Sequence, residues 1–162
     1  MKRHFLLGLL LVMLVTACQA TTEKANEATF QAMSQRLELA TRTGGVGIYE
    51  WDARYDIMTW DSQMYALYGL RTEEHFARPK EVYAKAIHPD DRERIDAEVA
   101  AALHGSGQID SEFRIVHPNG ELRHIKVSAL VLRDGTGNPT RVIGINWDIT
   151  KVKQAEANLR QA

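Results

Sequence analysis

The chain of 162 residues holds a single cysteine, Cys18, so no internal disulfide can form and cysteine chemistry beyond that point is excluded. Its formal charge is -1, which leaves no basic footprint for nucleic acid. The histidines (His4, His75, His88, His104, His117 and His124) are scattered, and no two stand at metal-ligand spacing. No serine sits in a nucleophile-elbow pattern. The run Gly44-Gly45-Val46-Gly47 lacks the Lys-Ser/Thr pair that completes a phosphate loop. Ser111, His117 and Asp134 are the right types for nucleophilic catalysis, but nothing in the sequence places them together, and no catalytic residue is assigned. Asp90 and Asp91 are explained by a helix start, where orphan N–H groups and the helix dipole favour carboxylates. No apolar run is long enough to span a bilayer. As a helix, Phe5 to Cys18 reaches roughly 20 Å at about 1.5 Å per residue, against roughly 30 Å of hydrocarbon.

What is present is an ordinary globular composition, 44% hydrophobic and 25% charged, at a length for one domain with flanking segments. The first segment has a basic start, Met1-Lys2-Arg3-His4, an apolar core from Phe5 to Val15, and then Thr16-Ala17-Cys18. That is the layout of a secretory signal peptide. Val15-Thr16-Ala17-Cys18 also resembles a bacterial lipobox, in which Cys18 would be lipidated and become the new N-terminus. The commonest lipobox has Leu where this chain has Val15. A plain signal peptide and a short uncleaved anchor are the other readings. All three place the rest of the chain outside the cytoplasm, because Lys2 and Arg3 favour the cytoplasmic side.

After a polar tether, Phe30, Met33, Leu37 and Ala40 recur at helical spacing, and Thr43-Gly44-Gly45 ends the helix. Val46 to Trp51 and Ile57 to Trp60 read as strands around a turn at Asp52 to Asp56. Asp61 or Ser62 caps a short helix carrying Met64, Leu67 and Tyr68, stopped by Gly69. Phe76 to Ile87 reads as another short helical stretch, after Pro79. His88-Pro89-Asp90-Asp91-Arg92 opens a longer helix, with Pro at the first helical position, and His104-Gly105 closes it. Ile95, Val99, Ala102 and Leu103 give that helix its buried face. Three period-two strands follow: Glu112 to Val116, Leu122 to Val127 and beyond, and Val142 to Thr150. They are joined by turns at His117-Pro118-Asn119-Gly120 and Asp134 to Pro139.

That order, with these residues, resembles a PAS domain of the kind found in bacterial sensor histidine kinases and diguanylate cyclases. The marks are Tyr49-Glu50-Trp51, His88-Pro89-Asp90-Asp91-Arg92, Glu112-Phe113-Arg114, His117-Pro118-Asn119-Gly120 and Asp148-Ile149-Thr150. The resemblance implies an α+β fold: a five-stranded antiparallel sheet in the order 2-1-5-4-3, helices over one face and a pocket between. It divides the chain into a signal segment 1–18, a tether and flanking helix 19–36, a PAS domain 37–150 and the start of a signalling helix 151–162. In that last segment Val152, Ala155, Leu159 and Ala162 form either a short coiled-coil seam or the buried stripe of a lone tail helix.

The expected lining of the pocket is Trp60, Met64, Tyr68, Ile95, Phe113, Ile115 and Asn146, which equally well form a packed core. The last strand is apolar on both faces, so the sheet needs cover on both sides, the second from the Phe30 helix or another protomer. A cysteinyl-flavin adduct is excluded for want of a cysteine in the domain. Haem is disfavoured, its only candidate ligands being His88 and His104 at the ends of the long helix, and no metal site is expected. The resulting expectation is a non-catalytic, membrane-tethered, extracytoplasmic sensory module that binds a small organic ligand or dimerises through its flanking helices. It would relay its state into the helix after Thr150 and onward to an output domain. The alternatives are a ligand-free dimerisation module, or the N-terminal part of a sensor kinase or cyclase, whose PAS domain would then be cytoplasmic.

Overall fold

The computed structural model describes residues 23–24, 26–71 and 78–161. Cys18 and the rest of the leader lie outside them. Helix α1 covers residues 26–44, and a compact unit begins at Thr41. Within that unit the order is β1 (Val46–Asp52), β2 (Ile57–Trp60), α2 (Ser62–Leu67), α3 (Pro79–Ala86) and α4 (Pro89–Ala101). A π turn (Ala102–Ser106) leads into β3 (Gln108–Val116), β4 (Leu122–Arg133), β5 (Pro139–Asp148) and α5 (Thr150–Gln161). No helix among the described residues is long and apolar enough to cross a membrane.

The sheet is antiparallel in the order β2-β1-β5-β4-β3, as expected from the resemblance. Its inner face carries Ile109, Phe113 and Ile115 on β3, Ile125, Val127 and Ala129 on β4, and Val142 and Asn146 on β5, all buried. Burying one such aliphatic or aromatic side chain stabilises by about 1.5–3 kcal/mol. On the outer face Leu130, Leu132, Ile143 and Ile145 are exposed.

Two ties fasten the helices to the inner face. Asp61 caps α2 by accepting from Met64 N at 2.7 Å, and its other oxygen accepts from Ile48 N of β1 at 3.0 Å. At the far end of α2 the His117 Nε2–H donates to the Leu67 carbonyl at 2.8 Å, so the β3–β4 turn closes the C-terminus that the helix leaves open. The start of α4 is held on β3 in a different way from the expected one. Asp91 stands in the first turn of α4 and faces Arg94 of that helix at 4.0 Å, but its carboxylate also accepts from Arg114 N at 2.8 Å, Nε at 3.0 Å and Nη2 at 2.7 Å. In return His88 N donates to the Arg114 carbonyl at 2.9 Å. The dipole argument covers Asp90, which is exposed; it misses what Asp91 does.

The end of α4 also differs from expectation. His104-Gly105 does not stop the helix; the chain widens into the π turn and is closed by Gly107, whose φ of 71° is the left-handed conformation glycine adopts freely. The His104 ring contacts the Ala100 carbonyl at 2.7 Å, keeping residue 104 inside the helical path. The short helix expected after Pro79 runs from Pro79 to Ala86, in agreement with that reading.

Candidate functional site

A cavity of about 200 Å³ lies between the inner sheet face and helices α2, α3 and α4. Of the expected lining residues, Trp60, Met64, Ile95, Phe113 and Asn146 meet there. Tyr68 and Ile115 are buried but stand outside the lining. Tyr68, one turn beyond Met64 on α2, packs its ring on Trp60 at 4.5 Å between centroids. Ile115 sits at the far end of β3, where it bridges to Ile87.

Sequence reasoning missed the contribution of β1 and β2. Tyr49, Trp51 and Met58 line the cavity, and the alternation of Gly47, Tyr49 and Trp51 along β1 carried the signal. It also missed Tyr83 of α3, whose ring meets Phe113 edge-on at 6.3 Å. Lys80, Asp96 and Glu98 add the polar end of the lining. Lys80 is tied down there: its Nζ pairs with Asp56 and lies 5.9 Å from the centre of the Trp51 ring, while Trp51 Nε1 donates to Asp56 at 2.9 Å. Glu98 is paired with Arg94 at 2.8 Å.

Among the described residues Trp60 Nε1, Asn146 Oδ1 and the Tyr68 hydroxyl are buried with no hydrogen bond of good geometry, the hydroxyl lying near the Asn146 amide. Asn146 is 2% exposed. Each orphaned polar atom costs about 1–3 kcal/mol unless something fills the gap. Tyr49 and Tyr83 line the space and Tyr68 lies buried outside the lining, and burial pushes all three phenols up. The Tyr83 hydroxyl rises to about 12, through burial first and then the Asp96 and Glu98 carboxylates. Tyr49 and Tyr68 are also raised, chiefly by burial, and for Tyr68 the nearby Asn146 amide offsets a part. All three phenols are therefore neutral at physiological pH.

Among the described residues no histidine or cysteine lines the cavity. His88 caps α4, with Nδ1 accepting from Asp90 N at 3.3 Å, and His104 is occupied by the Ala100 carbonyl. Ser111, His117 and Asp134 lie apart, each in its own local contacts: Arg94 Nη1 to Ser111 at 3.0 Å, His117 to Leu67, and Asp134 to Thr136 at 2.6 Å. Among the described residues no group of His, Cys, Asp or Glu is placed to hold a metal ion.

The strand that carries Asn146 runs directly into the C-terminal helix. Asp148 accepts from Thr150 N at 2.7 Å and faces Arg123 Nη1 at 3.3 Å. Thr150 Oγ1 accepts from His124 N at 2.8 Å, and Lys153 pairs with Glu112 at 2.6 Å. The first turn of α5 is thus clamped to β3 and β4.

A family model described as PAS fold matches residues 57–146, more than half of the chain. A probable diguanylate cyclase of Escherichia coli is 33% identical over 85% of this chain and 12% of its own length. The chain spans less than a quarter of the length of each curated relative it matches. The structure of a sensory box histidine kinase/response regulator from Burkholderia thailandensis superposes with a TM-score of 0.66 at 27% identity, covering 77% of this chain and 92% of that one. A PAS domain from Colwellia psychrerythraea superposes with a TM-score of 0.57 at 26% identity, covering 74% and 98%. Sheet order and sequence agree, and the chain belongs to the PAS fold family.

Proposed function

We propose that this chain is the input module of a signalling protein, which binds a small organic molecule in the cavity and passes its occupancy to α5. The observation that carries the reading is the cavity of about 200 Å³ itself, walled by Trp51, Trp60, Tyr83 and Phe113 and reaching Asn146 of β5. Asn146 is two residues from Asp148, so a ligand that pulls on Asn146 acts on the clamp at the start of α5. It biases the helix only by its difference in affinity for the two arrangements. The output is a kinase or cyclase domain elsewhere in a longer protein, in keeping with the short span of the relatives that this chain matches. The module itself is sensory, not catalytic.

Dimerisation through the flanking helices α1 and α5 is part of this proposal. Val152 and Leu159 are exposed on α5 at seam spacing. The exposed outer-face residues Leu130, Leu132, Ile143 and Ile145 favour a second reading, a module that dimerises without any ligand. Native mass spectrometry of the purified full-length chain separates the two. A dimer carrying an excess of a few hundred daltons or less per chain, lost on denaturation, supports the ligand reading. A clean dimer mass leaves the dimerisation module, and a clean monomer removes both.

Tethering at Cys18 completes the proposal, on the strength of the lipobox-like Val15-Thr16-Ala17-Cys18. In a bacterial host the wild-type chain should fractionate with membranes, and a Cys18→Ser variant should lose the lipid while keeping its fold. Recovery of both proteins from the cytosol in equal amounts would refute the tether and favour a cytoplasmic module.

A further inference from the structure

Resting on the ligand reading above, we infer the chemical class of the guest: a small methylated ammonium cation, quaternary or tertiary, with a short arm.

The wall of the cavity is a set of aromatic rings drawn from four elements. Tyr49 and Trp51 come from β1, Trp60 from β2, Tyr83 from α3 and Phe113 from β3. They stand on the sheet side and the helix side alike, Tyr83 meeting Phe113 edge-on at 6.3 Å. A ring carries negative charge density on its faces, so an enclosure of several rings favours a weakly hydrated cation. An ammonium already uses this wall at its polar end, where Lys80 Nζ lies over the Trp51 ring, 5.9 Å from its centre.

The sign of the charges agrees. Besides Lys80, the ionised side chains of the lining are Asp96 and Glu98, both on α4. Lys80 is offset by Asp56, and Glu98 is paired with Arg94 at 2.8 Å, which leaves Asp96 without an ion pair among the described residues. The field of the two carboxylates reaches the wall, since after burial it is what raises the Tyr83 hydroxyl. An anionic guest would be repelled by these carboxylates and by the ring faces.

The polar atoms ask little of the guest. Trp51 Nε1 is bound to Asp56, and Trp60 Nε1, Asn146 Oδ1 and the Tyr68 hydroxyl have almost no accessible surface, so they lie behind the wall. The neutral Tyr49 and Tyr83 hydroxyls can accept from a hydroxyl on the arm or from a tertiary N–H. A primary ammonium would need more partners than that, whereas methyl groups spread the charge and lower the cost of leaving water. At about 200 Å³ the space is close to the 150 Å³ scale that holds benzene, and a methylated ammonium head is of that order.

Isothermal titration of the full-length chain with three probes of one shape tests the assignment: choline, the neutral 3,3-dimethylbutanol and the anionic 3,3-dimethylbutanoate. Choline should bind at least about tenfold tighter than the alcohol, with the carboxylate undetectable. Asp96→Asn removes the charge of an exposed side chain, so it should weaken choline about threefold or more and leave the alcohol unchanged. Tyr83→Leu removes one ring face and stays apolar. It should bring choline toward the level of the alcohol, whose own affinity reports that the variant has kept its fold. The alcohol binding as tightly as choline, or the carboxylate binding best, would overturn the cation and leave the pocket reading standing. Choline affinity untouched by both variants would overturn it too, by placing choline elsewhere on the protein. If none of the three binds, the cation is refuted, and the native mass spectrum of the same sample decides the pocket: a small adduct keeps it and a clean mass removes it.

Discussion

Gly144→Ala should lower stability by about 1–3 kcal/mol and at the same time abolish binding in the cavity. A Cβ at residue 144 would lie 2.4 Å from Tyr49 Cε1, 2.5 Å from Tyr49 Cζ and 2.7 Å from Ala129 Cβ. These distances follow from register: Gly144 pairs with Tyr49 of β1 on one side and with Ala129 of β4 on the other. The Tyr49 ring lies across β5 in the place that a side chain would take. Ala129 belongs to a central strand and cannot retreat, so the tyrosine ring must move. The space available to it is the cavity that it lines. The variant therefore trades one defect for another, filling the binding space with the protein's own ring. A double-mutant cycle with Tyr49→Ala checks this. Removing the ring should make Gly144→Ala much less costly, with a coupling of at least about 1 kcal/mol between residues in direct contact. Additive effects in urea melts would show that the strain is carried somewhere other than the Tyr49 ring.

How much of this was legible in the sequence depended on the range of the signal. The strands and turns were readable because period-two alternation and the Pro118-Asn119-Gly120 and Asp134-Gly135 turns are local. Their order in the sheet is not local, and it came from the resemblance. Asn146 stood out as a polar residue among inward-facing neighbours on a strand that is apolar on both faces. Tyr49 and Trp51 were equally legible by alternation but were read as family marks and not as a face. Tyr68 shares the helical stripe of Met64, and only the packing of α2 against β1 and β2 decides that Met64 reaches the cavity while Tyr68 packs on Trp60. The closing of α4 was misplaced because His104-Gly105 carries the usual stop signal, and only the backbone shows that Gly107 supplies the left-handed residue. The partner of Asp91 lies 23 residues away across a helix–strand packing, and no periodicity reports such a pair.

That pair supports the second large effect. Asp91→Ala should cost about 3 kcal/mol, near the lower end of the range for breaking a buried ion pair, because Arg114 keeps some access to water. The loss combines three acceptor contacts, one of them to the Arg114 backbone N–H, which would be left without the carboxylate. The milder Asp91→Asn keeps the shape and isolates the charge through its pH dependence. Hydrogen bonds from the Arg114 guanidinium, ahead of those from its backbone N–H, hold the Asp91 carboxyl down to about 2, against an ordinary value of 3.8. A group whose folded value is depressed contributes stability that is fully present above the unfolded value. That stability is lost as pH falls through the folded one. The gap in unfolding free energy between wild type and Asp91→Asn should therefore be constant from neutral pH down to about 5. It should narrow by roughly 2 kcal/mol between about pH 4 and pH 2, since a shift of one unit is worth about 1.4 kcal/mol. Other carboxylates titrate in the same window, Asp52 among them, held low by Arg54, but they are common to both proteins and cancel in the difference. A gap that stayed flat down to pH 2 would mean that Asp91 acts through shape alone, with no contribution from its charge to holding α4 against β3.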